Sequence, residues 1–104
     1  MEFYDNFKFD WDENKHRDNV KKHKVSFYEA TTVFSSSPLL TENDDLHSQD
    51  EQRYKTTGYS VKNRLLVVIH TDRGNVTRII SARKANKLER GNYHGHFSEY
   101  LPPK

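Results

Sequence analysis

The chain has 104 residues, about a third of them apolar and a similar share charged. That is room for one domain with a modest core, and it is too hydrophobic for outright disorder. The longest apolar run, Leu65–Ile69, falls far short of the roughly 20 residues of a membrane-spanning helix. There is no cysteine, which excludes disulfides and thiolate metal sites. The start, Met1-Glu2-Phe3-Tyr4-Asp5, lacks the basic-then-apolar pattern of a signal peptide, so a cytoplasmic protein is expected. The net charge of +2 hides an asymmetry: residues 1–52 hold twelve Asp/Glu against six Lys/Arg, and residues 53–104 hold three against eleven. A basic half of this strength attracts phosphates. The plainer alternative is two solvated faces that complement each other within one fold.

Phe7-Lys8-Phe9-Asp10-Trp11 alternates large apolar and polar residues, which predicts a short half-buried strand. Asp12 is placed to cap a helix running to about His23, with Glu13 in its first turn. That helix carries little apolar surface beyond Val20, so edge packing is expected. Ser26-Phe27-Tyr28-Glu29 has the spacing of a capping box. Phe27, Ala30, Val33 and Phe34 then give a second helix one apolar face, ended by Ser35-Ser36-Ser37-Pro38. Leu39-Leu40-Thr41 reads as a brief strand, Glu42 to Gln52 as a loop, and Arg53 to Val61 as a strand with Gly58 as a bulge or close-packing point. Leu65–His70 and Val76–Arg83 are the clearest strands, joined by the hairpin signal Thr71-Asp72-Arg73-Gly74-Asn75. A last helix is expected from Lys84 to about Tyr93, and Pro102-Pro103 closes a tail. The order is that of an α+β domain with helices packed on one face of an antiparallel sheet.

The hairpin carries the sharpest physical argument. A turn centred on Arg73-Gly74 sets Leu65 opposite Ala82, Val67 opposite Ile80 and Ile69 opposite Arg78, an apolar face suited to cover the helices. The other face then pairs Leu66 with Ser81, Val68 with Ile79, His70 with Thr77, and Arg64 with Arg83. Like charges set opposite each other cost a sheet up to about 1 kcal/mol, so two facing arginines ask for a reason. One reading is a phosphate clamp, because guanidinium groups match phosphate oxygens and keep their charge at neutral pH. The other is ordinary pairing with carboxylates such as Glu89 or Glu51. The clamp depends on register, since a one-residue slip sends the two side chains to opposite faces. His70, on the same predicted face, titrates near neutrality and is a candidate acid or base, though a lone strand histidine is more often structural. The spacings of His16 with His23 and of His94 with His96 make no standard metal constellation.

Taken together, Phe9-Asp10-Trp11-Asp12-Glu13-Asn14-Lys15, Asn19 and Lys22–Ala30 resemble the N-terminal signature of BrnT-type toxins. His47, Glu51, Arg53, Gly58, Arg64–Val68 and Arg78–Ala85 continue it in order, and Glu89-Arg90 and Tyr93 complete it. The resemblance covers residues 7 to 93, within a single domain of residues 1–104 whose last part, 93–104, reads as a C-terminal extension. It implies a RelE-like fold and a metal-independent RNA endonuclease that inhibits translation, with no metal and no cofactor. It also implies a BrnA-type antitoxin, operator DNA contacted only through the antitoxin complex, and no membrane partner. By the same resemblance Arg64 and Arg83 look important for activity; Lys84, Glu89 and Tyr93 fall in matching segments. With His70 these six are the catalytic candidates, and Arg53 and Arg78 are the candidates for holding the RNA backbone.

The expected reaction is attack by an RNA 2′-hydroxyl on the adjacent phosphate, with positive groups stabilising the charge that builds there. The alternatives are a non-catalytic nucleic-acid- or protein-binding module, or a degenerate toxin that keeps only antitoxin binding. Two departures from the family stand out: Lys24 where glycine is usual just past the first helix, and Asn63 where glycine is common before the Arg-Leu-Leu strand. A left-handed backbone at Lys24 costs on the order of 1 kcal/mol. Asparagine tolerates that conformation more easily.

Overall fold

The computed structural model describes residues 8–48 and 50–99. The expectations for residues 1–7 and for the Pro102-Pro103 tail lie outside them, as does the side chain of His47. The described chain runs β1 (Lys8–Asp10), α1 (Glu13–His23), α2 (Phe27–Val33), β2 (Leu40–Asn43), a 3-10 turn (Asp45–His47), β3 (Arg53–Tyr59), β4 (Leu65–Arg73), β5 (Val76–Lys84) and α3 (Lys87–His96). The strands form one five-stranded sheet ordered β1-β5-β4-β3-β2, antiparallel except for β1, which lies parallel to β5. No described helix is long and apolar enough to cross a membrane.

The helix ends follow local chemistry. Asp12 accepts from the Asn14 and Lys15 amides and starts α1, and Ser26 Oγ accepts from the Glu29 amide and starts α2. Lys24 does take the left-handed conformation that ends α1 (φ 61°), and Asn63 does so before β4 (φ 62°). α1 packs at an edge as its sparse apolar surface implies, but it does so through a polar side chain. Asn19 is buried, accepts from the Ala82 amide at 3.1 Å and donates to the Ala82 carbonyl at 2.7 Å and the Val25 carbonyl at 2.9 Å. It closes the stretch of β5 that β1 leaves unpaired, so that no backbone group is stranded there. α2 supplies the core: Phe27, Ala30 and Val33 pack with Val25, Leu66, Val68, Ile79 and Ala82, all essentially inaccessible. Gly58 is a close-packing point and not a bulge; a Cβ there would lie 2.6 Å from Leu39 Cδ2 and 3.1 Å from Val33 Cγ1.

The hairpin register differs from expectation. The loop residues are Gly74 and Asn75, with Arg73 opposite Val76, and Gly74 takes the positive φ (63°) that a tight hairpin asks of its first loop residue. Further along, Ile69 pairs with Ser81 but His70 pairs with Ile79, so Ile80 is an extra residue and makes a β-bulge. The bulge resets the alternation of β5. Ile79 and Ala82 both turn to the core on the inner face, with Leu66 and Val68. Arg78, Ser81 and Arg83, paired with Thr71, Ile69 and Val67, share the outer face. Helices α1 and α2 serve the inner side, while α3 lies against one end of the outer face, its Glu89 bonded to Arg83 and Lys55.

Candidate functional site

The expected clamp of Arg64 and Arg83 is not formed. Arg64 precedes β4, and its guanidinium turns to α2, where Nε donates to Glu29 Oε2 at 2.9 Å and Nη2 bonds Glu29 Oε1 and the Lys24 carbonyl. Ser60 Oγ donates to the same carboxylate at 2.6 Å. Glu29 is buried, and the Arg64 hydrogen bonds hold its carboxyl below the usual range against the opposing effect of burial. Glu29 therefore does not close the second half of the capping box; it ties α2 to the Ser60–Arg64 turn. Arg83 faces Val67 on the opposite side of the sheet. Two further candidates also leave the predicted cluster. His70 is on the inner face and 4% exposed, held by Thr56 at 2.8 Å and Asp72 at 3.0 Å, with burial lowering its pKa. Lys84 pairs with Leu66, so it points to the inner side, exposed at the strand end.

The outer face gathers a different group. Arg83 makes a two-pronged contact with Glu89, Nη1 to Oε1 at 2.7 Å and Nη2 to Oε2 at 2.8 Å. Lys55 Nζ meets Glu89 Oε2 from the other side at 3.0 Å. α3 presents that carboxylate through a capping box, in which Asn86 accepts from the Glu89 amide and the Glu89 side chain accepts from the Asn86 amide. Arg83, then the Asn86 amide and Lys55, bring the Glu89 pKa down to about 2 in spite of burial. Arg83 itself stays about one-third accessible. Tyr93 does not join the group: it is buried, its hydroxyl donates to the Pro38 carbonyl at 2.8 Å, and burial raises its pKa.

Further along the same face Arg53, Thr71, Arg78 and Asp10 form one lateral row across β3, β4, β5 and β1. Arg78 Nη1 meets Asp10 Oδ1 at 3.2 Å. Arg73, at the hairpin, makes a two-pronged pair with Glu51 at 2.7 and 2.8 Å, which lowers the Glu51 pKa. Both residues read as backbone holders thus lie on the outer face, Arg78 through the hairpin register itself; the bulge at Ile80 instead brings Arg83 onto that face, opposite Val67 and not Leu66. Sequence reading missed Lys55, although it sits two residues from Arg53 in a strand and so shares its face. It also missed the contact of Tyr59 Oη with His94 Nε2 at 2.8 Å, which brings β3 and α3 together. Among the described residues no three His, Asp or Glu side chains come together as a metal-ligand set.

Fold and site together define a small α+β domain with a cationic, partly open sheet face. Residues 11–89 match the family of ribonuclease toxin BrnT of type II toxin–antitoxin systems, and the chain belongs to that family. A crystal structure of the Brucella abortus ribonuclease toxin BrnT superposes with a TM-score of 0.57 at 23% identity, covering 78% of this chain and 99% of that one. That likeness speaks for the fold. No curated protein matches the chain.

Proposed function

We propose that this chain is a metal-independent RNA endonuclease whose cutting centre is the Arg83–Glu89–Lys55 group on the outer face. In this reading the toxin inhibits translation and is neutralised by a BrnA-type antitoxin, and it reaches operator DNA only within their complex. The observation that carries it is a pair of cations, Arg83 and Lys55, held on one carboxylate at an accessible sheet surface. A phosphodiester competes with Glu89 for those donors, because guanidinium and phosphate match as two-pronged partners.

The chemistry follows from that exchange. The RNA 2′-oxygen attacks the adjacent phosphorus, the bond from phosphorus to the 5′-oxygen breaks, and a 2′,3′-cyclic phosphate is left. Arg83 stabilises the negative charge on the non-bridging oxygens. Glu89, relieved of part of its hydrogen bonding as phosphate takes up Arg83, becomes more basic and accepts the 2′-hydroxyl proton. Lys55 is placed to donate a proton toward the departing 5′-oxygen. Arg64 serves the fold here, through Glu29, and not the phosphate.

The test is incubation of purified protein with RNA in excess chelator. The expected result is cleavage with 2′,3′-cyclic ends, lost in Arg83→Gln while antitoxin binding is kept. Cleavage by Arg83→Gln at the parent rate overturns the assignment.

A further inference from the structure

We infer that the outer face carries a second phosphate site, at the Arg53–Thr71–Arg78 row, which holds a flanking phosphodiester of the RNA strand being cut. The inference rests on the outer face being the RNA surface, and it adds where the strand runs and what grips it away from the cutting centre. Arg53, Thr71 and Arg78 are register partners across three adjacent strands. At about 4.8 Å between neighbouring strands, the two arginine backbones stand roughly 10 Å apart with Thr71 between them. A cleft of about 160 Å³ opens over this row; Lys15, Arg73, Glu51 and Asp12 complete its polar lining.

The cations there are unequally matched. Arg73 is engaged by Glu51 and Arg78 by Asp10, and Asp12 is spent on the α1 cap. Among the described residues no carboxylate engages the Arg53 guanidinium or the Lys15 ammonium, and both residues line the cleft. Thr71 is buried and its hydroxyl donates to the Gln52 carbonyl at 2.9 Å, so the floor offers no competing donor and the guanidinium groups must be the anion's partners. The backbone of Arg53 is fixed: its amide donates to Ser48 Oγ, and its carbonyl accepts from the Asp44 amide. Arg53 is therefore a cation on a fixed backbone with no carboxylate bonded to it: Glu51 feels its charge but is bonded to Arg73, which leaves the Arg53 guanidinium open to a phosphate.

The placement relative to Arg83 makes the row a flanking site. Arg83 lies opposite Val67 and Arg78 opposite Thr71, four residues along β4, or about 13 Å at roughly 3.3 Å per residue. Arg53, two strands across from Arg78, stands about 10 Å further over, so Arg53 and Arg83 grip different phosphates of one extended strand. A short substrate that reaches only Arg83 gains nothing from Arg53; a longer one does.

The test uses a fluorescent 2′-O-methyl oligonucleotide, which lacks the attacking hydroxyl and stays intact, and reads affinity by anisotropy across a salt series. Arg53→Gln strips no carboxylate of its partner and should weaken binding about tenfold, with the salt slope reduced by about one. Lys62→Gln, a cation removed far from the row, should change neither. In the parent chain, inorganic pyrophosphate should shift the Arg53 and Thr71 amide resonances. Unchanged affinity and slope in Arg53→Gln, or pyrophosphate shifts confined to other regions, overturns the site. So does loss of antitoxin capture with oligonucleotide binding intact, which would give the cleft to a protein partner. The two readings separate cleanly. A chain that binds through Arg53 but cuts no RNA keeps this site and removes the proposed centre; a chain that cuts but ignores Arg53 does the reverse.

Discussion

The two faces of the sheet each hold an arginine on a glutamate, and the two pairs are built for different ends. On the inner side the acceptor, Glu29, is the buried partner: its side chain is 2% accessible, it also takes the Ser60 hydroxyl, and Arg64 is bound to the Lys24 carbonyl as well. Every donor and acceptor there links one element to another, so the pair is a tie between α2 and the turn before β4. On the outer side both partners are more open, Arg83 at 36% against 28% for Arg64 and Glu89 at 11%, and Glu89 is shared between Arg83 and Lys55. Removing Glu89 from that site would leave two cations facing solvent, ready for another anion. The same pairing chemistry makes a fastener where the carboxylate is enclosed and, in the proposed function, an exchangeable latch where both partners are more open.

The fastener should fail with the largest effect. Arg64→Ala strands the Glu29 carboxylate and is expected to cost about 3 kcal/mol, with the unfolding midpoint falling by more than about 10 °C. Calorimetry or a urea titration reads this directly, and a change under about 0.5 kcal/mol would make the tie an ordinary surface pair. At the latch, Glu89→Gln should split binding from turnover. Affinity for the 2′-O-methyl oligonucleotide should tighten about threefold as Arg83 and Lys55 are freed, while cleavage slows about tenfold or more for want of the proton acceptor. Equal effects on both would remove Glu89 from proton transfer.

Acid should expose both carboxylates. Their folded-state pKa values are depressed, to about 2 for Glu89 and in the same direction for Glu29. Their contribution is therefore complete above the ordinary carboxylate range and is lost as pH falls below it, for Glu89 toward about 2. Glu89→Gln should flatten the stability profile across that window. His70 acts in a separate one: burial lowers its pKa from an ordinary value near 6.5, so its share of stability is present above that value and declines below it. His70→Gln should remove the decline in stability that begins below about pH 6.5. Smallest of all, Lys24→Gly should stabilise the chain by about 1 kcal/mol, because Lys24 occupies a left-handed conformation.

What was legible in the sequence was what local chemistry decides. Asp12, Ser26, Lys24 and Asn63 each act within a few residues of themselves, and each does what its side chain and backbone preference imply. The hairpin, Gly58 and the edge position of α1 followed from pattern. The register did not, because the bulge at Ile80 leaves no mark that alternation can read: Ile79-Ile80 looks like continuous strand. That one extra residue moved Arg83 off Arg64's side of the sheet and onto the outer face. Glu29 misled for a related reason. Its spacing from Ser26 is that of a capping box, but a long-range arginine outcompetes a local amide. The carboxylate-pairing alternative for the two arginines was correct in kind, with Glu89 the right partner for Arg83 and Glu29 in place of Glu51 for Arg64. The Asn86–Glu89 capping box was readable and would have set the start of α3 three residues later than the Lys84 boundary.

The most direct measurement compares RNA cleavage by Arg83→Gln and Arg64→Gln, each assayed well below its own unfolding midpoint. Arg83→Gln should be inactive although folded, and Arg64→Gln, less stable, should still cut. An active Arg83→Gln beside a folded but inactive Arg64→Gln would place the chemistry on the inner side of the sheet and contradict the outer-face assignment.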